Sequence, residues 1–87
     1  MPFQLSVVTP ARPVVDCAAD SLVAPGAEGE FGVLPGHEPF LAPLAAGVLR
    51  FQTGGRTQSI EITGGFAEVT ATRVTILADA AQLPKEN

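Results

Sequence analysis

Apolar and polar residues along this chain alternate with a period of two, and nowhere does a helical period persist. Residues 3–9 read as a first strand, with Phe3, Leu5 and Val7 on one face. Thr9-Pro10-Ala11-Arg12-Pro13 turns the chain, and residues 14–18 and 21–24 follow as two short strands. Gly26-Ala27-Glu28-Gly29-Glu30 reads as a loop into Phe31-Gly32-Val33-Leu34, and Pro35-Gly36-His37-Glu38-Pro39 as a second loop held by proline at both ends. In residues 47–53, Leu49 and Phe51 face one way and Arg50 and Gln52 the other. Gly54-Gly55 suits the primed turn of a tight hairpin, and residues 56–63 return with Ile60 and Ile62 inward. Gly64-Gly65 permits a bend between strands. Residues 66–70 and 73–78 complete the pattern, with Val74 and Ile76 on the core face.

About eight to ten short strands with turns between them predict an all-β fold, a two-sheet β-sandwich or flattened barrel. The sandwich is expected over residues 1–80, with residues 81–87 as a short, frayed, polar tail. Three apolar residues break the alternation: Val8, Phe66 and Leu77 fall opposite to the core set of their strands. Either the strands change face at bulges, or these residues lie on an outer face that a partner covers.

Composition narrows the function classes. The 87 residues suffice for one domain, of which roughly 60–65% of the unfolded surface is buried on folding. Only 16% of residues are charged, so part of the surface is weakly polar and suited to a protein partner. Nine acids against five bases give a net charge of −4, with no basic cluster and no Trp or Tyr, which excludes nucleic-acid binding and disfavours anionic lipid. No run approaches the ~20 apolar residues of a membrane span. The start lacks the basic and apolar regions of a signal peptide, and a single cysteine allows no internal disulfide, so a cytosolic location is expected. Cys17 reads as a packed strand position rather than a reactive thiol.

Candidate chemistry is sparse. His37 is the only histidine, with no second His or Cys at ligand spacing, so no metal site is expected. Glu28 and Glu30 share a glycine-flanked, solvated stretch with nothing to raise a pKa. No nucleophile elbow and no phosphate loop are present, and the sole lysine, Lys85, is wrongly placed for a biotinyl or lipoyl carrier. No catalytic residue and no cofactor are expected. A protein-docking module is the leading reading; a stand-alone small-ligand or carbohydrate-binding sandwich is the alternative, and an enzyme comes third.

The loops add a resemblance. The run Pro25-Gly26-Ala27-Glu28-Gly29-Glu30-Phe31-Gly32-Val33-Leu34-Pro35-Gly36-His37-Glu38-Pro39 resembles the signature of the epsilon subunit of F-type ATP synthases. Val7-Val8-Thr9-Pro10, Gly47-Val48-Leu49-Arg50, Gly64-Gly65-Phe66-Ala67-Glu68-Val69 and Val74-Thr75-Ile76-Leu77-Ala78-Asp79 agree in order and spacing, so the resemblance spans about residues 3–81. It implies a ten-stranded sandwich in the central rotor stalk. Such a domain binds the gamma subunit and rests on the polar loops of the membrane c-ring, while ATP is made on other subunits during proton- or sodium-driven synthesis. It also implies a peripheral place, without membrane insertion, on the cytoplasmic face of a bacterial inner membrane or its equivalent. Gly26, Ala27, Glu28, Gly29 and Glu30 match the loop that faces the c-ring. Thr9, His37 and Ala42 match positions at the gamma interface, although His37 could instead only pack its loop. Val8, Phe66 and Leu77 are compatible with a covered gamma face but match no motif. Glu38 and Ala42 depart from the family, which often has alanine and a polar residue there. Many members continue into two helices that carry inhibitory or ATP-sensing behaviour, so this chain is either naturally short or shortened. It is expected neither to bind ATP nor to block rotation. Calorimetry at millimolar ATP checks the first point: no heat of binding is expected, and saturable binding would contradict it.

Overall fold

The computed structural model describes residues 2–86, and these form ten strands with no helix. They are β1 (Phe3–Val8), β2 (Pro13–Ala19), β3 (Ser21–Gly26), β4 (Gly29–Val33), β5 (Phe40–Leu44), β6 (Gly47–Thr53), β7 (Arg56–Ile62), β8 (Gly65–Val69), β9 (Arg73–Ala78) and β10 (Lys85–Glu86). Hydrogen bonds join them in the order β10-β7-β6-β3-β5-β8-β9-β1-β2, with β4 on the free side of β3. The sheet therefore has two halves. One is β10-β7-β6-β3-β4 and the other β5-β8-β9-β1-β2, and β3 bends from one to the other. Its start pairs with β6, Leu22 against Phe51, and its end meets β5 at Gly26 against Leu44. All pairs are antiparallel except β1 with β9.

One hydrophobic cluster draws on both halves. Phe3, Leu5 and Val7 of β1, Leu22 and Ala24 of β3, Leu49 and Phe51 of β6, Ile60 and Ile62 of β7, Ala67 and Val69 of β8, and Val74 and Ile76 of β9 are all buried. Each is an every-second residue of its strand, so the period-two pattern is what closes the halves face to face. Cys17 packs half-buried against the same cluster, as its strand position predicts.

The turns follow their residues. Gly54 and Gly55 both have positive φ, 57° and 80°, as a primed two-residue hairpin turn requires. At the β1–β2 and β8–β9 hairpins a threonine closes the turn. The Thr70 hydroxyl donates to Arg73 O at 3.1 Å and accepts from Arg73 N at 3.1 Å. Thr9 does the same with Arg12 at 2.9 and 3.2 Å.

Two expectations are corrected, and one strand is new. Residues 81–86 of the tail are not frayed: Ala81 bridges Ile62, Gln82 N donates to Glu61 O, and Lys85 and Glu86 pair with Ser59 and Gln58 of β7, while Asn87 lies outside the described residues. Its side chains carry no apolar pattern because what pairs is the open backbone edge of β7. The supposed loop at residues 26–30 is a tight hairpin of which only Ala27 and Glu28 lie outside strands, since Gly26 pairs with Gly29 and Pro25 with Glu30. A Cβ on Gly26 would stand 2.5 Å from Gly29 O, so glycine is what permits this close crossing. Finally, residues 40–44 form a strand that Pro39 and Pro43 obscure. Proline is tolerated at position 43 because β3 pairs with β5 only at Leu44, leaving much of that edge without a ladder.

Gly65 matters most for register. Its φ is +140°, and a Cβ there would sit 2.0 Å from Leu77 O and 2.9 Å from Ala78 Cα. Gly65→Ala is expected to destabilise the domain by about 2 kcal/mol or more, whereas Gly54→Ala, which meets open space, should cost about 1 kcal/mol from backbone conformation alone. Urea unfolding of both variants checks this; equal losses would contradict the close-approach argument.

Candidate interaction face

The outward side of β5-β8-β9-β1-β2 carries rows of side chains fixed by cross-strand register. Pro43 faces Phe66, Phe66 faces Leu77, Leu77 faces Val8, and Val8 faces Pro13. These five apolar residues form one row across all five strands. Phe66 and Leu77 are about half exposed, at 50% and 53%. Val8, Thr9, Pro10, Phe66 and Leu77 also line a shallow hollow beside the row. Of the two readings of the broken alternation, the outer face is the one observed. The β1–β2 register does shift between Val7 and Val8, but Phe66 and Leu77 point outward in unbroken strands.

The next row, two residues or about 6.6 Å along the strands, is Leu41, Glu68, Thr75, Ser6 and Asp16. The row beyond it includes Arg73 and Gln4. The face thus passes from apolar to polar along the strand direction.

The residues expected at one interface do not all gather there. Thr9 adjoins the apolar row, but its hydroxyl is committed to Arg12 in the β1–β2 turn. Ala42 points to the inner side, opposite Ala67, while Leu41 and Pro43 on either side of it face outward. His37 lies at the other end of the strands, where Gly36 N donates to Ala71 O at 3.1 Å. Its ring meets the Phe40 ring edge-on at 5.2 Å, and Nδ1 lies 3.1 Å from Glu38 O. Phe40 in turn meets Phe31 at 5.4 Å. Among the described residues no group of three His, Cys, Asp or Glu side chains could hold a metal ion.

The hairpin tip formed by Ala27 and Glu28 sits at the same end as the apolar row, because Ala27 N donates to Pro43 O at 2.9 Å. Its two acids differ. Glu30 meets the Arg50 guanidinium at 3.2 Å, whereas Glu28 stands exposed at the tip. Pro43 and Leu41 were missed by sequence reasoning because β5 was not recognised as a strand; a turn-flanked apolar run, Phe40-Leu41-Ala42-Pro43-Leu44, was the available signal.

Residues 2–84 match the family described as "ATP synthase, Delta/Epsilon chain, beta-sandwich domain". The chain belongs to this family. It is 50% identical over 80 residues to an ATP synthase epsilon chain of Nitratidesulfovibrio vulgaris, covering 92% of this chain and 60% of that relative. It is 47% identical over 83 residues to the epsilon chain of Pelotomaculum thermopropionicum, covering 95% and 62%. The chain therefore spans about 60% of the length of these curated relatives. Among solved structures, a chain of the Euglena gracilis mitochondrial ATP synthase, in an assembly of OSCP, F1 and c-ring, superposes with a TM-score of 0.87 at 30% identity, over 95% of this chain and 53% of that one. A Tetrahymena thermophila chain superposes with a TM-score of 0.77 at 14% identity, over 95% of this chain and 67% of that one, and shares the fold. The delta/epsilon sandwich is thus the ten-stranded body described above.

Cys17, facing the core of this sandwich, has its thiol pKa pushed up from the ordinary 9.0. Burial is the main cause and the Asp16 carboxylate adds to it, against a hydrogen bond from Thr53. An unfolded thiol ionises first as pH rises, so the native state is favoured by this group below about pH 9 and loses that advantage above it. At pH 8 a disulfide reagent should therefore react with folded protein several-fold more slowly than with urea-unfolded protein. Equal rates would contradict a packed, protonated thiol.

Proposed function

We propose that this domain is a non-catalytic central-stalk subunit of an F-type ATP synthase, joining the gamma subunit to the c-ring while ATP is made on other subunits. In a bacterium it would sit peripherally on the cytoplasmic face of the inner membrane. The observation that carries this reading is the apolar row Pro43, Phe66, Leu77, Val8 and Pro13 on an outward face, in a chain that shares half its residues with epsilon chains. Gamma is the partner assigned to the row. Val8, Phe66 and Leu77 form the contact, Thr9 borders it, and Ala42 acts from beneath by holding Leu41 and Pro43 outward. His37 extends the contact only if the gamma element runs along the strands from Phe66 to the β8–β9 turn, about 13 Å.

The c-ring is assigned to Gly26, Ala27, Glu28, Gly29 and Glu30. The tip and the row share one end of the body, so a single domain can touch both partners at adjoining surfaces. A torque-transmitting piece must not deform under load, and a closed sandwich with one core resists bending better than loops would. Each exposed acid at the tip would add only ~0–1 kcal/mol, so its value lies in orientation.

Phe66→Glu tests the reading. Phe66 lies outside the core, so the variant should fold as the native chain does. Its binding to the cognate gamma subunit, measured by calorimetry, should weaken by more than about tenfold, or ~1.4 kcal/mol. Binding unchanged in a folded variant, or no binding by the native chain, would overturn the assignment.

A further inference from the structure

The apolar row has an acid beside it that nothing in this chain neutralises. Glu68 follows Phe66 by two residues on β8, so both side chains leave the same face about 6.6 Å apart. Glu68 is exposed, and no side-chain hydrogen bond or ion pair reaches it among the described residues. Asp16, at the other end of the same row, is held by Gln4 Nε2 and Ser6 Oγ, both neutral groups that leave its charge in place. Arg73 stands one row further from the apolar residues and makes no ion pair with Glu68. On the opposite flank, Asp79 adjoins the hollow beside Val8, Phe66 and Leu77, and Arg12 shares the neighbouring hollow with Asp79 without pairing to it.

A partner that seats on Phe66 and Leu77 covers ground within one side-chain length of Glu68. A purely apolar partner would strip water from that carboxylate and give nothing in return, which is strongly unfavourable. A second copy of this chain is a poor occupant for the same reason. Its net charge is −4, and its own face carries the same acids. A cation placed over Glu68 removes the penalty and fixes the partner's register on the row.

We propose that the segment of partner polypeptide covering this row presents an apolar side chain to Phe66 and Leu77 and, beside it, a lysine or arginine to Glu68. Glu68 is then the residue that selects this partner over other apolar surfaces. The proposal rests on the docking of gamma described above.

The test is calorimetry of the full chain with the cognate gamma subunit at low and high salt, using Glu68→Gln, Glu61→Gln and Phe66→Glu. Glu61 is an exposed acid on β7, in the other half of the sheet, so its variant makes the same change in net charge elsewhere. Glu68→Gln should weaken binding about fivefold at low salt and flatten its salt dependence, while Glu61→Gln stays within about twofold of the native chain. Should Glu68→Gln bind and respond to salt as Glu61→Gln does while Phe66→Glu still loses binding, the cation is wrong and the docking face stands. Should Phe66→Glu bind normally, or the native chain not bind gamma, the docking face falls and this proposal with it.

Discussion

Where β8 passes β9, the backbones lie so close at Gly65 that no side chain fits between position 65 and the carbonyl of Leu77. Strand side chains alternate, so a slip of β8 by one residue against β9 would turn Phe66 inward and expel Ala67 and Val69. The glycine-only contact pins the pair against that slip. β9 then fixes β1 through the one parallel ladder, and β8 fixes β5 on its other side. Both the core and the outward apolar row descend from this register. The same five-strand half that buries Val7, Ala67 and Ile76 displays Val8, Phe66 and Leu77 one residue along.

That coupling bears on function. An outward face on a packed sheet inherits the rigidity of the core behind it, and its shape does not depend on loop conformation. The hairpin tip is tied to the same half through Ala27 and Pro43, and on its other side Arg50 reaches Glu30 across β3. The hairpin tip and the apolar row are therefore held in fixed relation by a backbone hydrogen bond on one side and the Arg50–Glu30 ion pair on the other.

Much of this was legible in the sequence. Leu49, Phe51, Ile60, Ile62, Val74 and Ile76 alternate cleanly and all lie in the core. Gly54-Gly55 announced its turn through the conformations that only glycine adopts readily. The outward residues Val8, Phe66 and Leu77 were visible as violations of their own strands' pattern. What was hidden is non-local. β10 pairs with the backbone edge of β7 and adds one ion pair, Glu86 to Arg56 at 3.3 Å, so Lys85 and Glu86 give no apolar signal. β5 lies between prolines that ordinarily argue against a strand, and its admissibility depends on the mostly open edge beside Pro43. That His37 sits far from Phe66, and that Ala42 faces the core, depends on sheet order, which one-dimensional spacing does not encode.

The central claim is that the outward side of β5-β8-β9-β1-β2 is the surface that meets the gamma subunit. A nuclear magnetic resonance titration of isotope-labelled chain with unlabelled gamma tests it directly. The account predicts that the side-chain signals of Val8, Leu41, Phe66 and Leu77 change most, while those of Val23, Arg50 and Gln52, on the outward side of the other half, stay unchanged. Changes centred on Val23, Arg50 and Gln52, with Phe66 and Leu77 unaffected, would contradict it.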